Sequence, residues 1–153
     1  MQLTRHTDYA LRVLLYLAYK GEALSTIREI SDRHRISENH LMKVVNRLSK
    51  LGYVTALRGK GGGLRLARSP ELISVGEVIR DTEETRHVVE CLVADYGGAC
   101  GLASSCRLKT VLKEAHAAFF ENLNRYTLQD LAPQRPGAAA LRFYRSPALL
   151  QGA

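Results

Sequence analysis

The sequence predicts a mainly α-helical fold that carries one small β-hairpin. Three observations predict it. Within the first 52 residues, three runs with helical apolar spacing each open at a Ser or Thr, and two of them close at a Gly. Two β-prone runs, 53–57 and 64–67, flank a stretch rich in glycine and positive charge. An amphipathic run of some twenty residues then covers about 105–124.

Each element has its own local signal. Thr7 is placed to cap a first helix with apolar positions at Ala10, Leu11, Val13, Leu14, Leu15, Leu17 and Ala18, and Gly21 stops it. Asp8 then falls in the first turn, where a carboxylate suits the helix dipole. Thr26 and Glu29 have the spacing of a capping box opening a short helix from Ile27 to about His34. Ser37 caps a third helix, 38–51, closed by Gly52 and buried along Leu41, Val44, Val45, Leu48 and Leu51. Its other face offers Glu38, Asn39, His40, Lys43, Asn46, Arg47 and Lys50. The hairpin tip reads Arg58-Gly59-Lys60-Gly61-Gly62-Gly63. Ser74 and Glu77 form a second capping-box pattern, for a helix from Val75 to about Glu83 with Val78 and Ile79 inward.

The run 105–124 would make about 30 Å of helix, long for so small a chain. Leu108, Val111, Leu112, Ala115, Phe119 and Leu123 line one side, which predicts packing against the same helix of a second copy. Thr127 to Leu131 adds a further helical turn.

Helix, helix, helix, strand, basic loop, strand is the order of a winged helix-turn-helix. The chain divides accordingly into 1–80, a winged helix-turn-helix DNA-binding domain; 81–131, a cysteine loop and dimerisation helix; and 132–153, a weakly ordered tail rich in Pro, Gly and Ala.

The formal net charge of +7 is lopsided: residues 1–70 carry 13 Lys/Arg against 5 Asp/Glu, and residues 71–153 carry 9 against 10. A basic N-terminal half points to a polyanion, with double-stranded DNA as the default. The helix 38–51 has the size to enter a major groove about 12 Å wide. Ser37, Asn39, His40, Lys43 and Arg47 are the residues expected to face DNA, Asn being suited to adenine. Arg58 and Lys60 on the wing are expected along phosphates or in a minor groove. The wing is not a Walker A loop, since Lys60 is followed by Gly61 rather than Ser or Thr, and a nucleotide site is not expected there.

No charge-free apolar run approaches the length of a membrane span, and the N-terminus lacks a signal-peptide pattern. The expected location is the cytoplasm, where thiols stay reduced. The three cysteines all lie in Cys91 to Cys106, spaced C-x8-C-x5-C among Gly97, Gly98 and Gly101. Their odd number argues against a purely intrachain disulfide framework. Three thiols on one loop suit an iron–sulfur cluster whose missing ligand comes from elsewhere. The alternative is three free cysteines buried as small hydrophobes. No Cys-His-Asp order stands out, so an enzyme is not expected.

Several stretches together carry a resemblance. They are Met1-Gln2-Leu3-Thr4 with Thr7-Asp8-Tyr9, Asn39-His40 followed by Lys43, and Gly52-Tyr53-Val54-Thr55-Ala56. Further ones are Arg58-Gly59-Lys60 before Gly62-Gly63, Cys106-Arg107-Leu108-Lys109, and Tyr126-Thr127-Leu128-Gln129-Asp130-Leu131. Over residues 1–131 the chain resembles the Rrf family of iron–sulfur transcription repressors, and within it the members that sense nitric oxide. The resemblance implies a homodimer on a palindromic operator with a cluster in each subunit, 4Fe-4S favoured and 2Fe-2S the alternative. It implies Cys91, Cys100 and Cys106 as ligands, with a fourth in the partner subunit's Asp8. The intact cluster would hold the DNA-binding form, and nitric oxide would release DNA. A regulator of the same fold answering to iron–sulfur status, redox state or a small metabolite is the alternative. The first cysteine gap is longer than the family layout. A related branch places a histidine three residues after the third cysteine, where Lys109 stands here. His87 and His116 are substitute ligands to weigh.

Overall fold

The computed structural model describes residues 2–84, 87–93, 100–102 and 105–132. Its helices are α1 (Arg5–Lys20), α2 (Ile27–His34), α3 (Glu38–Lys50), α4 (Val75–Thr82), α5 (Arg107–Asn124) and α6 (Leu128–Leu131). Between α3 and α4 lie β1 (Val54–Leu57) and β2 (Gly63–Leu66), paired antiparallel from Val54 opposite Leu66 to Leu57 opposite Gly63. Mainly helical with one hairpin, the architecture is the one the sequence predicts. The tail beyond Ala132 lies outside the described residues, as do residues 94–99 and 103–104 of the cysteine loop.

The caps explain the boundaries and correct some of them. The hydroxyl of Thr4, not Thr7, caps α1 by accepting from the Thr7 amide at 3.2 Å. Thr7 turns inward and is fully buried. Gly21 ends α1 at φ 62, where a side chain would be strained. Thr26 caps α2, but the second half of its expected box does not form. The Glu29 carboxylate instead accepts from Tyr16 Oη at 2.7 Å and Lys20 Nζ at 2.9 Å. Ser74 stands at the start of α4 without a capping bond, its hydroxyl 3.3 Å from Asn124 Oδ1. Thr127 and Asp130 do close a reciprocal box on α6.

One core holds the winged helix together. Leu14 and Leu17 of α1, Ile30 of α2, Leu41, Val44 and Leu48 of α3, Tyr53, and Val78 of α4 are almost wholly buried in it. Burial of this kind stabilises by about 25 cal/mol per Å² of apolar surface. The stripe expected on α3 is the one observed, with Leu51 packed at its edge. Backbone pairing of Ser25 with Leu64 ties the α1–α2 link to the hairpin. Pairing of Ser74 with Thr127 brings the end of α5 back to the start of α4. The apolar side of α5 is covered only in part: Leu112, Phe119 and Leu123 are half-buried, while Leu108 is 63% and Val111 57% exposed.

Candidate nucleic-acid interface and metal centre

Helices α2 and α3 meet at Arg35, which takes a left-handed φ of 54 and turns the chain through the short link. Ser37 follows as the cap of α3, accepting from the His40 amide at 3.4 Å. Asn39, His40, Lys43 and Arg47 are all exposed on α3. They share the helix side away from the buried stripe, because residues three and four apart lie on one face.

Arg58 and Lys60 stand exposed at the hairpin tip. Gly59 at φ 97 and Gly61 at φ 81 make the reversal. A Cβ at Gly62 would run into the Leu57 carbonyl oxygen, so this tight tip needs glycine there. Among the described residues, Lys43, Arg58 and Lys60 form no ion pair, which leaves their charge facing outward.

Two residues are tied down more than the sequence suggested. The Arg47 guanidinium donates to the Asp81 carbonyl at 3.1 Å. The His40 ring lies 6.2 Å from that of Tyr9 on α1. Sequence reading passed over Tyr9 and Asp81 as residues bearing on α3. No local pattern marks either, since both meet α3 from distant parts of the chain.

Asp8 sits half-buried in the first turns of α1. Its carboxylate pairs with Arg12 one turn on, at 2.9 Å, with a second contact from Arg12 Nε at 3.0 Å. Cys91 lies in a short turn, Glu90–Leu92, half-buried; Cys100 is exposed; Cys106 is half-buried at the N-cap position of α5. All three thiols are free. The first turn of α5 has no side-chain cap and no acidic residue. The amides at a helix N-terminus favour a negative group beside Cys106. Thiolates bound to metal are such groups, so the donor set suits a soft iron centre. Among the described residues no three His, Cys, Asp or Glu side chains gather to hold a metal. His87 and His116 stack on one another at 6.2 Å, with His116 also edge-on to Phe120.

Comparison with known proteins decides the family. The model of the family Rrf2, described as iron-dependent transcriptional regulator, matches residues 3–134. The chain belongs to the Rrf2 family. It is 50% identical over 132 residues to the HTH-type transcriptional regulator NsrR of Bacillus licheniformis, covering 86% of this chain and 92% of the relative. To NsrR of Bacillus subtilis it is 49% identical over 137 residues, covering 88% and 92%. Among solved structures it is similar to CymR, the global cysteine regulator of B. subtilis, with TM-score 0.70 and 28% identity over 86% of this chain and 96% of that one. It is likewise similar to IscR of T. potens, with TM-score 0.65 and 26% identity over 86% of this chain and 85% of that one.

As an Rrf2 protein the chain is a transcription regulator with a winged-helix fold, and the exposed basic face of α3 and the wing fits that assignment. No helix among the described residues is long and apolar enough to cross a membrane.

Proposed function

We propose that this protein is a homodimeric DNA-binding repressor that senses nitric oxide through an iron–sulfur cluster. Cys91, Cys100 and Cys106 hold the cluster, 4Fe-4S in preference to 2Fe-2S, and the partner subunit's Asp8 completes its ligands. One observation carries the reading: a chain with three free thiols also bears a half-exposed carboxylate on the helix that touches α3. Held by these residues, a cluster would supply iron able to bind nitric oxide, and the Asp8 carboxylate would be a weaker ligand to it than the three thiolates.

The chain's own residues convert the state of that ligand into DNA affinity. While the Asp8 carboxylate is held across the dimer, α1 is fixed at its start. Tyr9, the next residue, then keeps its contact with His40 of α3. The two copies of α3 stay at the separation of half-sites one helical turn apart, about 34–36 Å, on a palindromic operator. Once Asp8 is freed it falls back on Arg12, its neighbour one turn away. The spacing of the two α3 helices is then no longer fixed, and DNA is released. A differential affinity of about 1–3 kcal/mol changes occupancy 5–150-fold.

Residues 1–80 read DNA through Ser37, Asn39, His40, Lys43, Arg47, Arg58 and Lys60. Residues 81–131 hold the cluster and pair two subunits, with the exposed Leu108 and Val111 of α5 covered by the partner. The protein acts in the cytoplasm, with double-stranded DNA, its own second copy and nitric oxide as partners.

The experiment is an absorption spectrum of protein purified without oxygen, before and after nitric oxide, with DNA binding followed in parallel. A broad band near roughly 400 nm, as thiolate-bound iron–sulfur centres give, that changes with nitric oxide while DNA is released supports the reading. A band indifferent to nitric oxide moves the input to iron–sulfur status, redox state or a small metabolite. A colourless sample after anaerobic reconstitution with iron and sulfide removes the cluster and leaves a dimeric DNA-binding protein.

A further inference from the structure

The last turn of α4 is bonded to two other helices at once. Glu83 Oε1 accepts from the Thr4 amide at 2.7 Å and lies 3.2 Å from the Thr4 hydroxyl. Two residues earlier, the Asp81 carbonyl accepts from the Arg47 guanidinium at 3.1 Å. The Asp81 carboxylate accepts from the buried Tyr53 hydroxyl at 2.7 Å. These partners are 79, 34 and 28 residues apart in sequence, so local structure does not bring them together. A cleft of about 660 Å³ opens between the three helices, with His6 and Glu84 on its walls. The Thr4–Glu83 and Arg47–Asp81 bonds lie on its exposed side, while the Tyr53–Asp81 bond is part-buried.

We infer that Glu83 and Arg47 are positioning residues for DNA binding. Glu83 anchors the cap of α1, four residues before Asp8 and five before Tyr9. Arg47 anchors the flank of α3 to the same turn of α4. From that turn the chain runs eight residues to Cys91. The helix bearing Asp8 and the helix read as DNA-contacting thus share one fixed point in each subunit. This inference rests on the reading of α3 as the DNA-contacting helix, and it changes the role expected of Arg47 from touching DNA to holding α3 in place.

Charge separates positioning from simple electrostatics. Glu83 is an anion on a protein that binds a polyanion, so its removal by itself tightens DNA binding. A positioning role predicts the reverse. For Arg47, loss of a phosphate contact flattens the dependence of log K on log salt by about one, whereas loss of an anchor leaves that slope unchanged.

The test measures binding of full-length protein, purified without oxygen so that it keeps its cluster, over a salt series, to a duplex that the wild-type chain in the same state selects from a random-sequence pool. Glu83→Ala is expected to weaken binding roughly fivefold or more at unchanged slope. Glu83→Gln, whose amide oxygen still accepts from Thr4, is expected to restore it. Arg47→Met is expected to weaken binding at unchanged slope. Amide exchange at Thr4–Tyr9 should quicken in Glu83→Ala while β1 and β2 stay protected. Equal or tighter binding by Glu83→Ala overturns the inference, and so does a slope lowered by about one in Arg47→Met. If Glu83→Ala does not fold, the slope of Arg47→Met decides. Wild-type protein that selects no duplex overturns the DNA reading itself, and nitric oxide plays no part in any of these arms.

Discussion

The rings of Tyr9 and His40 lie 6.2 Å apart and tilted by 38°, so α1 touches the exposed face of α3 one residue beyond Asp8. A pull on Asp8 therefore needs no long relay to reach the residues of α3 proposed to face DNA. It acts on the first turns of α1, which meet α3 directly.

That proximity gives the first prediction, on Asp8→Ala. The Asp8–Arg12 pair is open to solvent, with side chains 45% and 47% exposed. Exposed pairs one turn apart contribute only about 0.3–0.5 kcal/mol. Thermal unfolding of the cluster-free variant should stay within about that range of wild type. Its DNA affinity in the cluster-loaded form should fall 5–150-fold if Asp8 is the tether. A loaded Asp8→Ala protein that binds DNA like wild type removes Asp8 from the switch.

The wing and α3 should respond differently to alanine. Arg58 stands exposed on the glycine tip with no ion pair among the described residues, and its proposed contact is a phosphate. Arg58→Ala should weaken all duplexes alike and lower the salt slope by about one. Asn39→Ala should cost about 1–3 kcal/mol on the selected duplex and little on random DNA. Titrations on both duplexes at several salt concentrations check this, and matching profiles for the two variants would contradict the assigned roles.

Much of this architecture was legible in the sequence because it is local. The stripe Leu41, Val44, Val45, Leu48 and the cap Ser37 fixed α3 within a residue at its C-terminus. Capping boxes were less reliable where tertiary partners compete: Glu29 serves Tyr16 and Lys20 rather than the amide of Thr26. The Thr4–Glu83 and Arg47–Asp81 bonds were invisible, since no periodicity links residues 79 or 34 positions apart. The cysteine segment was legible in its chemistry alone, because thiol spacing names the type of ligand without fixing where the loop carries it.

Two groups between α1 and α2 predict acid lability. Burial, then the charges of Arg12 and Arg33, hold His34 below its ordinary 6.5. A depressed pKa means the unfolded chain binds the proton first. The stability His34 contributes is therefore complete above about pH 6.5 and is lost as pH falls through its lower folded value. Burial works against ionised Glu29, but the bonds from Tyr16 and Lys20 outweigh it and hold the carboxyl below its usual 4.5. Its contribution is present above about 4.5 and is lost at still lower pH. Denaturant unfolding across pH 4–7.5 should show stability falling from about pH 6.5 downward, and His34→Gln should flatten that upper step. An unchanged upper step in His34→Gln assigns it to another group.

The docking of α5 on α4 depends on the absence of a side chain at Gly76. A Cβ there would collide with Asn124 Oδ1 and lie 3.2 Å from the Asn124 backbone nitrogen. The Asn124 side chain is not free to move away at no cost, because Oδ1 accepts from Arg80 at 2.6 Å and meets the Ser74 hydroxyl at 3.3 Å. Helix propensity alone favours alanine over glycine by about 1 kcal/mol. Overpacking of a tight contact costs about 1–3 kcal/mol, so the clash should win and Gly76→Ala should destabilise. Asn124→Ala removes the colliding oxygen. In the double variant Gly76→Ala with Asn124→Ala, the cost of the alanine at 76 should shrink, giving a coupling of about 0.5–3 kcal/mol in a double-mutant cycle. Additive effects would show that α5 does not seat on α4 through this contact. The position of the helix expected to pair two subunits would then have to be set by the partner alone.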